Sequence, residues 1–212
     1  MSKLIYFPVQ GRAQAIRYLL ESKGIAYEEQ NVGGADWQAL KQAKTYGDAQ
    51  LPVMVAADGT FRTQSVAMLK SLAMEHGYAP QDATALYEME WFFGTQADYI
   101  EPTMAKRAAY LKDAPTQEEI DAAIKNVGDL LARLDGQYAD GRDHVAGSSI
   151  TAADFYLLAL VTAFVENPNM KQPSIREALT GKLAECANLQ RILTPMRELC
   201  ATSITNLRAS SV

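Results

Sequence analysis

The residues best placed to do chemistry lie at the start of the chain. There the apolar run Lys3-Leu4-Ile5-Tyr6-Phe7 passes through Pro8-Val9-Gln10-Gly11 into a helical pattern opened by Arg12. A phenol at the carboxyl end of a first strand, beside a helix N-terminus, faces the crevice that the helix amides also face, and α/β folds usually present ligands there. The other reading of Tyr6 is a half-buried strand aromatic with its hydroxyl in water. Ser65 is the second such position: it precedes the helical spacing Val66, Leu69, Leu72, Ala73. It reads either as a plain N-cap or as the start of a helix whose open amides take a carboxylate or phosphate. His76 and His144 have no ligand cluster around them, and Cys186 and Cys200 form no CxxC, so no metal site is expected and the thiols read as reduced and structural.

Composition narrows the setting. A net charge of −5 without any Lys/Arg block argues against a nucleic-acid partner or an anionic membrane surface. No run of 18 apolar residues occurs, and the N-terminus lacks the basic-then-apolar pattern of a signal peptide. The expectation is a soluble, cytoplasmic, globular protein long enough for two domains.

The elements that must carry Tyr6 and Ser65 follow from local patterns. Residues 3–7 form a strand; Ala13, Ile16, Leu19 and Leu20 mark a helix ended by Gly24; residues 26–32 form a second, polar strand that suits a sheet edge. A right-handed crossover makes these strands parallel. Asp36 caps a short helix from Trp37 to about Lys44. Leu51–Ala56 is a strand, Asp58-Gly59 a turn, and Thr60–Thr63 the antiparallel return. Pro52 cannot donate to a ladder, so it marks an edge or a cis bond in a shaped turn. Residues 78–83, with Pro80, read as a linker. Beyond it the patterns are helical: Leu86, Met89, Phe93, Ala97 and Ile100 in one segment, a capping box at Thr116–Glu119 opening another, and a Thr151/Asp154 box before the apolar helix Phe155–Val165.

A βαβ unit, a strand beginning Leu51-Pro52, a hairpin and a Gln64-Ser65 helix start, in that order, resemble the N-terminal domain of the cytosolic glutathione transferases. Tyr6-Phe7-Pro8-Val9-Gln10-Gly11-Arg12 resembles the first-strand motif of their tyrosine-type classes, above all pi, whereas Ala35-Asp36-Trp37 with Lys41 resembles sigma. Gly147–Leu158 is similar to the family's C-terminal signature, in which the Thr151/Asp154 box is a folding element. The resemblance spans roughly residues 3–200. It implies an α/β thioredoxin-like N-terminal domain plus an all-α C-terminal helical domain, with boundaries at 1–77, a linker at 78–83, and 84–212.

The resemblance also implies an activity: conjugation of reduced glutathione to hydrophobic electrophiles in detoxification, by a homodimer, with no cofactor beyond glutathione. Tyr6 and Arg12 would be catalytic. Trp37 and Lys41 would meet the glycyl carboxylate, with Lys44 the competing lysine. Leu51 beside a cis Pro52, with Gln50, would pair with the cysteinyl backbone; Gln64 and Ser65 would take the γ-glutamyl carboxylate; Phe7 would pack beneath. Asp98 would reach across to the partner subunit's glutathione. The electrophile would lie against Val9, Met104, Arg107, Ala108 and the C-terminal tail. Tyr6 would act by hydrogen bonding: a phenol titrates near about 10 and a thiol near about 8.5. A charged hydrogen bond worth roughly 1.5–3 kcal/mol lowers the thiol by about one to two units. The thiolate is the nucleophile.

Two departures stand out. Gln10 replaces a frequent arginine, and Asp48 and Ala49 are extra relative to pi. Two other activities share the resemblance: a glutathione-dependent isomerase of the prostaglandin D synthase type, and a non-catalytic hydrophobic-ligand carrier or crystallin-like relative. Having Tyr6, Trp37, Gln50, Gln64 and Ser65 together favours an active site.

Overall fold

The structure is a computed structural model that describes residues 1–100, 102–103 and 112–209. Its contacts divide the chain into two units, Met1–Ala79 together with the chain from Cys200 onward, and Pro80–Leu199.

The first unit is built on a four-stranded sheet of order β2-β1-β3-β4. Strand β1 (Ser2–Tyr6) leads through a 3-10 turn, Gly11–Ala13, into helix α1 (Gln14–Ser22), and β2 (Tyr27–Asn31) follows. β1 and β2 are parallel, with Tyr6 opposite Asn31. β2 is an edge strand, as its polar sequence predicts. Helix α2 (Gly34–Gln42) precedes β3 (Val53–Val55), which is antiparallel to β1 with Ile5 opposite Val53. β4 (Phe61–Arg62) returns against β3 with Met54 opposite Arg62. Asp58 accepts the Thr60 amide and hydroxyl and so fixes the turn between them. The Leu51-Pro52 peptide is cis, and β3 pairs on both sides. Helix α3 (Ser65–Glu75) packs on α1.

Leu4, Ile5, Ile16, Leu19, Leu20, Val53, Leu69 and Leu72 form this unit's core. The whole span Gln14–Leu20 is buried, so α1 is covered on every face.

Two caps differ from expectation. Gly33, not Asp36, is the N-cap of α2; Asp36 stands at N3, and its carboxylate accepts the Gly33 amide at 3.1 Å. Ser65 is the first helical residue of α3, because Gln64 takes the cap position with φ 67° and ψ 96° and makes no side-chain cap bond.

The second unit is helical: α4 (Ala83–Thr95) running into a π-helical segment Gln96–Ile100, then α5 (Gln117–Gln137), α6 (Ala152–Phe164), α7 (Pro173–Glu185) and α8 (Ala187–Leu199). α5 packs on α7 and α8, and α6 on α4 and α8. The Thr116 box forms as predicted: the Thr116 hydroxyl accepts the Glu119 amide while Glu119 accepts the Thr116 amide. At α6 the Asp154 half of the box forms. Its fully buried carboxylate accepts the Thr151 amide at 2.8 Å, the Thr151 hydroxyl at 3.0 Å and, from the preceding loop, the Val145 amide at 2.9 Å.

The last helix, α9 (Ala201–Ala209), belongs to the first unit and not to the helical one. It packs on α1, and the Ser203 hydroxyl donates to Glu21.

Candidate active site

The sheet register gathers the sequence-predicted residues of the first unit at one end. β1 finishes at Tyr6, and the Ile5–Val53 pairing brings the Leu51-Pro52 bend beside that terminus. β2 is parallel to β1, so α2 starts from the same end. β4 runs back along β3 past Met54, so Gln64 and Ser65 emerge there as well.

Tyr6 is 7% exposed, and its hydroxyl accepts the Arg12 backbone N–H at 2.9 Å. That bond exists because the chain folds tightly back after β1. Gly11 has φ +41°, and a Cβ on it would lie 2.5 Å from the Tyr6 hydroxyl oxygen. Only glycine fits this position without displacing the phenol. Within the turn the Val9 amide donates to the Phe7 carbonyl at 2.7 Å. The Phe7 ring lies 5.8 Å from the Tyr6 ring at an interplanar angle of 55°, a tilted aromatic contact that limits ring rotation. The Arg12 side chain is exposed at the mouth of the turn.

Trp37 is buried in α2, and Lys41 stands one turn later on the same helix, half-buried. Lys44 has left α2, sits at φ 49°, and its exposed ammonium is 4.0 Å from the Asp48 carboxylate. Gln50 is exposed, whereas Leu51 and Pro52 are buried. Gln64 makes no side-chain cap bond to α3, so it leaves the helix's leading amides to another acceptor.

A family description, "Glutathione S-transferase, C-terminal domain", matches residues 99–184. The chain is 32% identical over 154 residues to the hematopoietic prostaglandin D synthase of Gallus gallus, covering 73% of this chain and 74% of that one. It is 31% identical over 200 residues to glutathione S-transferase P 1 of Bufo bufo, covering 89% and 85%. The chain belongs to the glutathione S-transferase family. Solved structures agree on the fold. The glutathione S-transferase of Ascaris lumbricoides superposes with a TM-score of 0.66 at 22% identity, covering 93% of this chain and 97% of that one. A prostaglandin synthase D of Nilaparvata lugens does so with 0.64 at 18%, covering 92% and 96%.

In this glutathione S-transferase family chain the other predicted residues are not all in the first unit. Asp98 is exposed on the π-helical segment of the second unit. Val9 is exposed beside Tyr6 in sequence; Met104, Arg107, Ala108 and residues 210–212 of the tail lie outside the described residues, while residues 201–209 of the tail form α9. No group of three or more His, Cys, Asp or Glu that could hold a metal occurs among the described residues, and no described helix is long and apolar enough to cross a membrane.

One residue at the site escaped the sequence reading. Arg17 is 6% exposed, donates to the Val9 and Gln10 carbonyls, and holds its guanidinium carbon 5.8 Å from the Tyr6 ring centroid. The available signal was a cation at core spacing: Arg17 follows Ala13 by four residues and precedes Leu20 by three, on the apolar side of α1.

Proposed function

We propose that this chain binds reduced glutathione and transfers its thiolate to hydrophobic electrophiles, with Tyr6 stabilising the thiolate. The observation that carries the reading is the bond from the Arg12 amide to the Tyr6 hydroxyl. Because the oxygen accepts there, its own proton is left to donate elsewhere, and accepting a bond makes that proton a better donor. A neutral hydroxyl donating to sulfur favours the thiolate; the thiol proton goes to solvent. The sulfur lone pair then forms a bond to the electrophilic carbon, and the leaving group departs with its electron pair.

The rest of the tripeptide is assigned by chemistry. An extended backbone pairs with Leu51 beside the cis Pro52 in the manner of strand addition, helped by Gln50. The γ-glutamyl carboxylate meets the Ser65 hydroxyl and the leading amides of α3, with Gln64 nearby. The glycyl carboxylate takes Lys41 and the Trp37 indole N–H; Lys41 is preferred to Lys44 because Lys44 already faces Asp48. Phe7 packs under the site and Arg12 contributes positive charge at its mouth. The protein is cytoplasmic and acts as a homodimer, in which Asp98 reaches the partner's glutathione. What supports the dimer is an apolar face on α4: Tyr87 is 67% exposed and Trp91, one turn later, 45%, with Leu86 beside them.

The similarity to prostaglandin D synthases favours a second reading, a glutathione-dependent isomerase using the same Tyr6 and thiolate. Assay of purified protein separates the two. Retention on immobilised glutathione with turnover of a chloronitrobenzene is expected, and Tyr6→Phe should keep retention while slowing conjugation about 8- to 25-fold near pH 7, the fall in thiolate fraction when one to two units of thiol pKa are lost. Isomerisation of a prostaglandin endoperoxide without conjugation would select the isomerase; retention without either reaction would select a ligand carrier. Equal rates for Tyr6→Phe would remove Tyr6 from the mechanism.

A further inference from the structure

We propose that Arg17 is a positioning residue for the reaction: it clamps the turn between β1 and α1 and thereby fixes the Arg12 amide against the Tyr6 hydroxyl. The inference rests on, and deepens, the proposed role of Tyr6. The Tyr6 hydroxyl is set by an amide six residues away, across a turn in which the Val9 amide donates to the Phe7 carbonyl and the Gln14 amide to the Gly11 carbonyl. The carbonyls of Val9 and Gln10 point inward. Both are taken by one nitrogen, Arg17 Nη1, at 2.9 and 3.2 Å.

The same guanidinium is anchored on its other sides. The two N–H groups of Nη1 are shared with a third acceptor, Gln14 Oε1 at 3.1 Å, on α1 itself, and Nε donates to Glu29 Oε1 at 2.8 Å, on the edge strand β2, with Nη2 bonded to that same oxygen. One side chain therefore ties the turn, the helix that follows it and the neighbouring strand into one body. A planar fork with five donors can do this, whereas an ammonium cannot span all four acceptors. Burial makes the arrangement specific: Gln10 Oε1 and Gln14 Nε2 are already buried without partners. Losing the guanidinium would take a charged donor from both carbonyls, so the turn would open toward water and carry the Arg12 amide away from Tyr6. The guanidinium 5.8 Å from the Tyr6 ring centroid adds a cation near the ring that a neutral replacement would remove.

Amide hydrogen exchange on the ligand-free full-length protein tests this, with Tyr6→Phe as the reference for a lost acceptor. Arg17→Met should speed exchange of the Arg12 amide about tenfold while the Leu4 and Ile5 amides of β1 change less than about twofold. Equal acceleration at all three amides would mean that Arg17 only supports the scaffold, and would overturn the proposal, as would an Arg12 amide that does not respond. In a second arm, ultraviolet titration of bound glutathione should show the thiol ionising about one pH unit higher in Arg17→Met, with Arg17→Lys between it and the wild type. If Arg17→Met does not fold, Arg17→Lys carries both arms, and an unchanged Arg12 amide there overturns the proposal. If the wild type fails to ionise glutathione, the proposed function falls, while the exchange measurements still decide the role of Arg17.

Discussion

A single methyl group is the smallest change that probes the Tyr6 turn. Gly11→Ala places a Cβ 2.5 Å from the phenol oxygen on a backbone with φ +41°. The hydroxyl must move or the turn must reshape. The variant should lose about tenfold or more of conjugation rate while still being retained on immobilised glutathione, and the left-handed backbone should cost about 1 kcal/mol of stability. Steady-state kinetics with urea titration separates the two effects. The lysines near α2 allow a second contrast. Lys41 shares its helix with Trp37, whereas Lys44 lies beyond it and faces Asp48. Lys41→Ala should raise KM for glutathione about fivefold with kcat nearly unchanged, as loss of uniform binding predicts, and Lys44→Ala should leave both within about twofold.

Among the elements, the loop entering α6 carries a pH-dependent contribution. His144 Nδ1 lies 3.8 Å from the buried Asp154 carboxylate, which already accepts three hydrogen bonds from Val145 and Thr151. That carboxylate, with Asp143 farther off, raises the His144 pKa above its ordinary 6.5, against the opposing effect of partial burial. Because the folded value exceeds the unfolded one, the stabilisation is complete below the unfolded pKa and is lost as pH rises through the folded value. The difference in Tm between wild type and His144→Gln should therefore be widest below the ordinary histidine pKa of 6.5 and narrow as pH rises above it. A gap that is constant with pH would mean that His144 contributes packing alone.

Elements of this kind were legible because their causes are local. The Thr116 box, the Asp58-Gly59 turn and the polar edge strand all rest on residues a few positions apart, and the parallel first strands follow from the handedness of one short crossover. Where tertiary contacts decide, the sequence reading was incomplete. Arg17 is buried because four acceptors from three elements converge on it, and no window of sequence contains them all. The sequence offers Asp36 and Ser65 as caps; in both cases the chain enters the helix earlier, and the cap falls to Gly33 or to Gln64 in a left-handed backbone. The tail after Cys200 carries no local signal of its own, so the sequence groups it with the preceding helices at 84–212, whereas its helix α9 lies with the first unit. Its partner, α1, is about 180 residues away in sequence, beyond any local signal.

For the whole molecule, the exposed face of α4 makes assembly testable. Light scattering behind size exclusion should give twice the chain mass of 23.2 kDa, and Trp91→Glu, which puts a charge into that face, should return the single-chain mass with far-UV circular dichroism unchanged. A single-chain mass for the wild type would remove the homodimer from the proposed function.

The return of α9 to α1 has a consequence for synthesis. The unit that carries Tyr6 is translated in two instalments: its sheet and α1 leave the ribosome first, and its last helix only when translation of the entire helical unit is over. Until then the surface of α1 that receives α9 stands uncovered, and Cys200, whose thiol burial and the neighbouring Glu21 push up to about 12, has not reached its place. A nascent chain stalled at Leu199 should thus expose that part of α1 to a protease that the finished protein resists.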